Sequence, residues 1–239
     1  MKKNIFLGLS MVLLLIIRVN ADEMIFHDPN IPDGEKLIYK EKKNKEDSWE
    51  ICTYIVKKGQ QQGEDVYIIT SSAGNNKIKR ILNAYNMKSI IVNSACKQRK
   101  SIFNFEKKYE GNRIHIVSPE TKLDKTMKIP ENTYDLETFF YVLRSLSFTI
   151  NKKVNFNMLY TEPNETGVAP VDAEVLSKEK IIVPAGEFTC YKVQMKLTGI
   201  AALFYKAKFY YWFNEQEPHY LIKHSSTEGE IVELISCQK

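Results

Sequence analysis

Apolar and polar residues alternate one by one through much of the last quarter of the chain. The clearest run is 190–197, and it follows an apolar run that Pro184, Ala185 and Gly186 interrupt. A second alternation then places four residues on one face: Ala207, Phe209, Tyr211 and Phe213. A two-residue period is typical of a strand with one buried face, and the Pro-Ala-Gly interruption indicates a turn. This region therefore predicts an antiparallel meander.

Weaker alternation predicts strands along most of the remaining chain. Gly and Asn clusters at 59–63 and 75–76 indicate the turns between some of them. The predicted strands are 34–39, 49–56, 65–70, 78–82, 87–92, 102–105, 113–117, 154–159, 171–177, 188–197, 207–213, 220–224 and 231–235.

One segment, near 135–147, departs from the β pattern. Its large apolar residues recur at the spacing of one helical face: Leu136, Phe139, Phe140, Leu143 and Leu146. Asp135 stands in the capping position, and Arg144 lies near the end of the segment, where a cation suits the helix dipole. The predicted fold is mainly β, a curved antiparallel sheet (half-barrel or barrel-like sandwich) covered by one amphipathic helix near 135–147. A movable lid is the alternative role for the helix.

The first 21 residues have the composition of a secretory signal peptide. Lys2 and Lys3 precede the apolar stretch 5–17, and Val19-Asn20-Ala21 provides small residues for cleavage. The apolar stretch is shorter than the roughly 20 residues of a spanning helix. We therefore predict cleavage after Ala21 and a single exported β domain at 22–239, located in the periplasm, with no transmembrane segment in the mature chain. An uncleaved amphipathic anchor is the alternative.

The cysteines and the charge limit the function classes. The first cysteine is Cys52, far from the predicted cleavage point, so we do not expect a lipoprotein. The formal charge of +5 falls to +2 without the three leader cations (34 Lys and Arg less three, against 29 Asp and Glu), which argues against nucleic-acid binding. Two disulfides are predicted in an exported chain, Cys190 with Cys237 and Cys52 with Cys96. The cysteines are too widely spaced for a zinc knuckle.

No motif in the chain supports a catalytic or metal site. Ser94 to Lys97 and Ser177 to Lys180 match the S-x-x-K pattern, but the companion motifs of serine acyltransferases are missing. The four histidines are scattered without metal-binding spacing, and there is no nucleophile elbow, P-loop or dinucleotide fingerprint. We therefore predict a non-enzymatic protein that uses no cofactor and no metal.

Aromatic residues dominate the segment 204–213 and occupy both faces of its predicted strand. They either line an apolar cavity between sheet and helix or fill it. The candidate lining residues are Phe139, Phe140, Leu143, Tyr191, Val193, Met195, Phe209 and Tyr211.

Three stretches of the chain resemble one family. Tyr134–Leu146 has the form D-x-x-x-x-x-Y-x-L-R-S-L, Val183–Phe188 contains P-A-G-x-F, and Gly34–Tyr39 is similar to an opening strand. Together they resemble the exported bacterial domain-of-unknown-function 3108 family, from Gly34 to about Leu234. The chain departs from the family pattern after Trp212. The resemblance implies a periplasmic, mostly antiparallel β fold and no assigned catalytic residues.

Two functions remain open from the sequence. The first is a non-catalytic binder of an apolar ligand, such as a lipid or acyl chain, between sheet and helix. The second is a cell-envelope interaction protein with a solid core, whose partner contacts a sheet edge or the apolar segment near Ile200. A connected cavity of several hundred cubic ångströms under Phe139 and Phe209 would favour the binder.

Overall fold

The computed structural model describes residues 25–43, 48–98, 101–162 and 165–238. The predicted signal peptide lies outside these residues, and so does the side chain of Cys96. Within the described ranges, no helix has the length and apolar character needed to cross a membrane.

Strands make up most of the described chain. They are β1 (Lys36–Lys42), β2 (Glu50–Gln61), β3 (Glu64–Ala73), β4 (Asn76–Asn83), β5 (Ser89–Gln98), β6 (Ser101–Glu110), β7 (Arg113–Ser118), β8 (Leu123–Lys128), β9 (Thr133–Asp135), β10 (Lys153–Glu162), β11 (Glu165–Val183), β12 (Gly186–Leu197), β13 (Lys208–Asn214), β14 (Leu221–Ser226) and β15 (Ile231–Gln238). The helices are α1 (Phe139–Val142), which 3-10 turns at Leu136–Thr138 and Leu143–Ser145 flank, and α2 (Ala201–Phe204).

All fifteen strands belong to one sheet made of two antiparallel meanders. Strands β1 to β8 follow one another from the middle of the sheet to one edge, and β10 to β15 follow one another from near the opposite edge back to the middle. The meanders join where β1 pairs with β15, and the short β9 pairs in parallel with β10 at the far edge. The prediction of a mainly β, antiparallel fold is confirmed.

The hairpins of the last quarter agree with the alternation in the sequence. Val183 pairs with Gly186, so Pro184 and Ala185 form the two-residue connection between β11 and β12. Gly186 has φ of +128°, a conformation that side-chain-bearing residues rarely adopt. Strands β8 and β9 were not predicted, because each is short and only Leu123 and Met127 are large and apolar in β8.

The predicted single amphipathic helix is not confirmed. The segment 136–145, called here the inner segment, contains only one turn of α-helix between two 3-10 turns. Its burial is not one-sided: residues 138–146 are all buried except Phe140, which is half-buried, whereas Leu136 of the predicted apolar stripe is 42% exposed. The inner segment is therefore enclosed and does not lie as a cover on one face of a sheet.

Strands from both meanders surround the inner segment. The ring of Phe139 packs edge-on against Phe156 of β10, with centroids 5.6 Å apart. The Tyr141 ring lies 6.3 Å from Tyr54 of β2. Phe140 lies 6.2 Å from Tyr211 of β13. The sheet thus curls around the inner segment, and one continuous apolar core includes both.

The predicted Cys190–Cys237 disulfide is not formed. Cys52, Cys190 and Cys237 all carry unbridged sulfurs, and Cys190 is fully buried, not on an outer face. Cys190 lies in β12 and Cys237 in β15, three strand positions apart in the sheet. Three interstrand spacings amount to about 14 Å, twice the greatest Cα separation that a disulfide spans. Cys52 is unbridged too, and the side chain of Cys96, its predicted partner, lies outside the described residues.

Candidate functional site

Charged side chains connect the inner segment to the surrounding sheet. The Arg144 guanidinium donates two hydrogen bonds to the Glu35 carboxylate, at 2.7 and 2.9 Å, and a third to the Pro218 carbonyl at 3.0 Å. Both members of this pair are buried, with 1% and 0% of their side chains exposed. A second buried pair joins Lys107 of β6 to Asp135, with 2.7 Å between Nζ and Oδ2. These pairs fix the segment at both ends.

The surroundings of Arg144 stabilise its charge. Burial alone would lower its pKa, but the hydrogen bonds to Glu35 raise the pKa of Arg144 above its usual value. The rings of Tyr141 and Tyr220 lie 5.5 and 5.2 Å from the guanidinium carbon. Burial also raises the pKa of the Tyr141 hydroxyl, which therefore stays protonated. Arg144 is thus a buried residue whose charge is paired with Glu35. It also lies near the end of a helical segment, as the sequence predicts.

The structure brings the eight predicted cavity-lining residues into the same core. Five are buried, and the remaining three, Phe140, Tyr191 and Phe209, are half-buried and packed against the buried ones. Two spaces border Phe140, with volumes of about 10 and about 100 Å³. A single water occupies about 30 Å³ in the liquid, so neither space accommodates an acyl chain. At Phe140 the aromatic residues fill the interior.

A much larger space lies on the other side of the sheet. Strands β2 to β7 curve around a groove of about 710 Å³, a volume in the usual range of small-molecule sites. Thr53 and Ile55 of β2 line it, whereas Cys52 and Tyr54 between and beside them belong to the core. The groove therefore occupies the face of these strands opposite to the one that packs on the inner segment.

The residues that line the groove form two rows across the strands. The first row contains Thr53, Ser72, Lys77, Ala95 and Asn104, which pair in register from β2 to β6. The second row contains Ile55, Thr70, Lys79, Asn93, Glu106 and Val117, which pair in register from β2 to β7. Five interstrand spacings make the second row about 24 Å long. The groove is thus elongated perpendicular to the strands.

Positive charge is concentrated in the middle of the groove. Lys77 and Lys79 are two residues apart on β4, so both side chains lie on the groove face, and both are exposed. Neither forms an ion pair with the described residues, whereas Glu106, in the groove too, pairs with Lys108 at 2.6 Å. The two ammonium groups are therefore available to an anionic group of a ligand.

The other sequence motifs form no catalytic arrangement in the described residues. Ser94 borders the groove but is buried in β5, and Lys180 of the second S-x-x-K match pairs with Glu187 at 2.7 Å. In the part of the chain that the structure describes, no three His, Cys, Asp or Glu side chains come together as metal ligands would. His224 is buried and contacts Tyr211 and Glu230.

Sequence reasoning missed the groove. Its strands alternate weakly, and its lining residues are mostly Thr, Ser, Asn and Lys, which are typical of any solvent-facing strand. Ile78 between Lys77 and Lys79 indicates that the lysine side of β4 faces solvent. The sequence does not show that this face is concave, because the concavity results from the curvature of six strands.

The sequence profile of the protein family of unknown function DUF3108 matches residues 46–231, and the chain belongs to this family. The resemblance recognised in the sequence is thereby confirmed. No curated protein sequence matches the chain.

Three solved structures resemble this fold at low identity. The first is a "beta-barrel-like protein of domain of unknown function DUF1849" from Brucella abortus, 8% identical, with a TM-score of 0.55 over 86% of this chain and 97% of that chain. The second, a "putative exported protein with YmcC-like fold" from Bacteroides fragilis, is 14% identical (TM-score 0.39; 90% and 100% covered). A "putative lipoprotein" from Parabacteroides distasonis is 12% identical (TM-score 0.36; 90% and 98% covered). The first likeness supports the barrel-like fold.

Proposed function

We propose that this DUF3108 member is a non-catalytic binding protein of the bacterial envelope and that its ligand lies in the groove across β2 to β7. The ligand is an elongated amphiphile with a negatively charged end, such as a fatty acid or another acyl lipid. The observation that carries this proposal is the groove itself, an elongated space of about 710 Å³ with two unpaired lysines at its middle.

The shape of the groove supports an extended ligand. The row of residues, about 24 Å long, crosses the strands without interruption, and its part from Lys79 to Val117 leaves about 14 Å for an acyl chain whose anionic end lies at the lysines. Ile55, Ala95 and Val117 supply apolar contact along it, together with the aliphatic stems of the two lysines. These apolar contacts lie among polar side chains, mostly Thr, Ser, Asn and Lys.

The charge supports an anionic end. The Lys77 and Lys79 ammonium groups project from one strand to the same face and have no carboxylate partner among the described residues. A carboxylate or phosphate between them would form charge-assisted hydrogen bonds. The Ser72 hydroxyl on β3, next to Lys77, is able to donate a further bond to the same group.

The filled core near Phe140 changes where the ligand is placed. The sequence pointed to a cavity between sheet and helix, but the spaces there hold little more than water. A solid-core interaction protein is the second candidate function, which this packing favours. The two functions do not exclude one another, because the groove lies on the opposite face from the core.

Titration of the exported protein with a fluorescent long-chain fatty acid tests the proposal. We expect saturable binding at one site and a rise in Kd of about tenfold for Lys77→Glu with Lys79→Glu, equivalent to about 1.4 kcal/mol. Lys57→Glu is the matched control, since Lys57 is an exposed lysine on the groove side of β2 but outside the groove. Ala95→Trp should also weaken binding, by filling the groove without changing its charge.

Two results would contradict the proposal. One is a fatty-acid affinity that is the same in the wild type, the double lysine variant and Ala95→Trp. The other is a loss of affinity in Lys57→Glu equal to that in the double variant, which would indicate an effect of net charge alone.

A further inference from the structure

An exposed apolar loop connects β12 to β13 at one end of the sheet. Three of its side chains are almost fully in solvent: Ile200 is 76% exposed, Leu203 71% and Phe204 86%. The single turn of helix α2 within the loop buries none of its residues. Large apolar side chains that cluster on one protruding loop usually mark an interaction site, because their exposure is unfavourable in water.

Lysines surround the base of this loop. Lys196, Lys206 and Lys208 are all exposed, and none forms an ion pair with the described residues. Lys196 and Lys208 lie directly opposite each other on β12 and β13. Like charges in this position repel, so an external anion next to them would relieve the repulsion.

The acidic groups near the loop have other partners. Glu228 accepts a hydrogen bond from the Tyr205 hydroxyl at 2.8 Å, and Glu230 contacts His224 at 3.3 Å. Asp172, which is opposite Lys196 on β11, accepts from the Asn155 amide. The lysines therefore keep their charge available at the surface.

We propose that this loop docks the protein onto a lipid bilayer that contains anionic headgroups. The tip of the loop, formed by Ile200, Leu203 and Phe204, inserts at the boundary between headgroups and acyl chains. The lysines at the base of the loop lie nearer the aqueous phase and contact lipid phosphates. Tyr205 lies between the apolar tip and the charged base, the position that aromatic residues with a polar end take at membrane interfaces. The match between free lysines and anionic headgroups is what favours a lipid surface over a protein partner.

Vesicle co-sedimentation of the protein as recovered after export tests the docking. We expect binding to phosphatidylglycerol–phosphatidylethanolamine vesicles, weak binding to phosphatidylcholine vesicles, and release at high salt because the lysine contacts are screened. Leu203→Ser with Phe204→Ser should reduce partitioning by about tenfold or more. Ile182→Ser is the matched control: Ile182 is 75% exposed on β11, where it pairs with Glu187 at the end of β12 far from the loop, and its replacement should leave partitioning unchanged.

A second variant locates the contact directly. The fluorescence of the Phe204→Trp variant should shift to the blue on addition of the anionic vesicles. The melting temperature of this variant should stay at the wild-type value. Partitioning that is equal in the wild type and the double serine variant would overturn the proposal. So would a concentration-dependent dimer that the double variant abolishes, if the wild type shows no binding to anionic vesicles.

Discussion

Arg144 and Glu35 are 109 residues apart in the sequence and form a doubly hydrogen-bonded ion pair in the interior of the sheet. Arg144 belongs to the inner segment, and Glu35 directly precedes β1, the strand at which the two meanders join. The pair therefore connects the inner segment to the place where the two meanders join.

Removal of one member of this pair should destabilise the fold strongly. Glu35→Gln leaves the buried Arg144 charge without its counter-ion, so the free energy of unfolding should fall by about 3–5 kcal/mol. Glu35→Leu with Arg144→Met should cost less, because it leaves no buried charge. Glu187→Gln, in the exposed pair with Lys180, is the control and should cost less than about 1 kcal/mol in urea denaturation. Equal losses in the buried and exposed pairs would contradict this account.

The packing of the inner segment predicts a large effect at Phe139. Its side chain is 2% exposed and packs on Phe156, so Phe139→Ala should lower the free energy of unfolding by about 3–5 kcal/mol. Leu136→Ala is the control on the same segment, since Leu136 is 42% exposed, and it should cost far less. Because the interior at Phe140 is filled, added fatty acid should not change the size of the Phe139→Ala effect. A loss that depends on fatty acid would place the ligand in the core.

Glu230 should make stability depend on pH in acid. Its hydrogen bond with His224 lowers the pKa of Glu230 below the usual 4.5. Since the pKa is lower in the folded state, the carboxylate stabilises the fold above about pH 4.5, and this contribution is lost as the pH falls through the folded value. The stability advantage of the wild type over Glu230→Gln should therefore shrink on acidification. Thermal melts across the acid range measure it, and an advantage that stays constant with pH would be inconsistent with the shift.

Cys190 should react as a buried thiol. Burial raises the pKa of Cys190 to about 12, so little thiolate is present at neutral pH and alkylation of Cys190 in the native protein should be slow. After unfolding without reductant, iodoacetamide should label Cys52, Cys190 and Cys237 fully. Peptide mass spectrometry measures the extent of labelling. Recovery of a peptide pair linked through Cys190 and Cys237 would contradict the separation of β12 and β15.

Local patterning was sufficient for the strands that have one core face. In β12, Val193 and Met195 are buried and alternate with more exposed residues, so the period of two in the sequence predicts this strand. In β13 the sequence alternates too, although the consecutive residues 211–213 are all buried. Patterning failed for the inner segment, because periodicity counts apolar residues and does not show that Arg144 and Ser145 are buried too. Their burial depends on Glu35 and on a local hydrogen bond to the Val142 carbonyl. The first of these contacts joins residues 109 positions apart.

The groove could not be predicted from residue types for a related reason. Thr70, Lys79 and Asn93 are unremarkable as solvent-facing strand residues, and only the bending of β2 to β7 places them around one space. At the aromatic cluster the sequence left open whether the large side chains line a cavity or fill it. Around Phe140 they fill the interior, as close packing in protein cores leads one to expect.

The position of the ligand is tested most directly by backbone amide chemical shifts during titration with a long-chain fatty acid. The account predicts saturable changes along the groove rows, centred on Thr70, Lys79 and Asn93, with little change around Phe139 and Tyr211. Changes confined to Phe139, Tyr211 and their neighbours would place the ligand between the inner segment and the sheet. That result, or the absence of any saturable change, would contradict the assignment of the groove as the binding site.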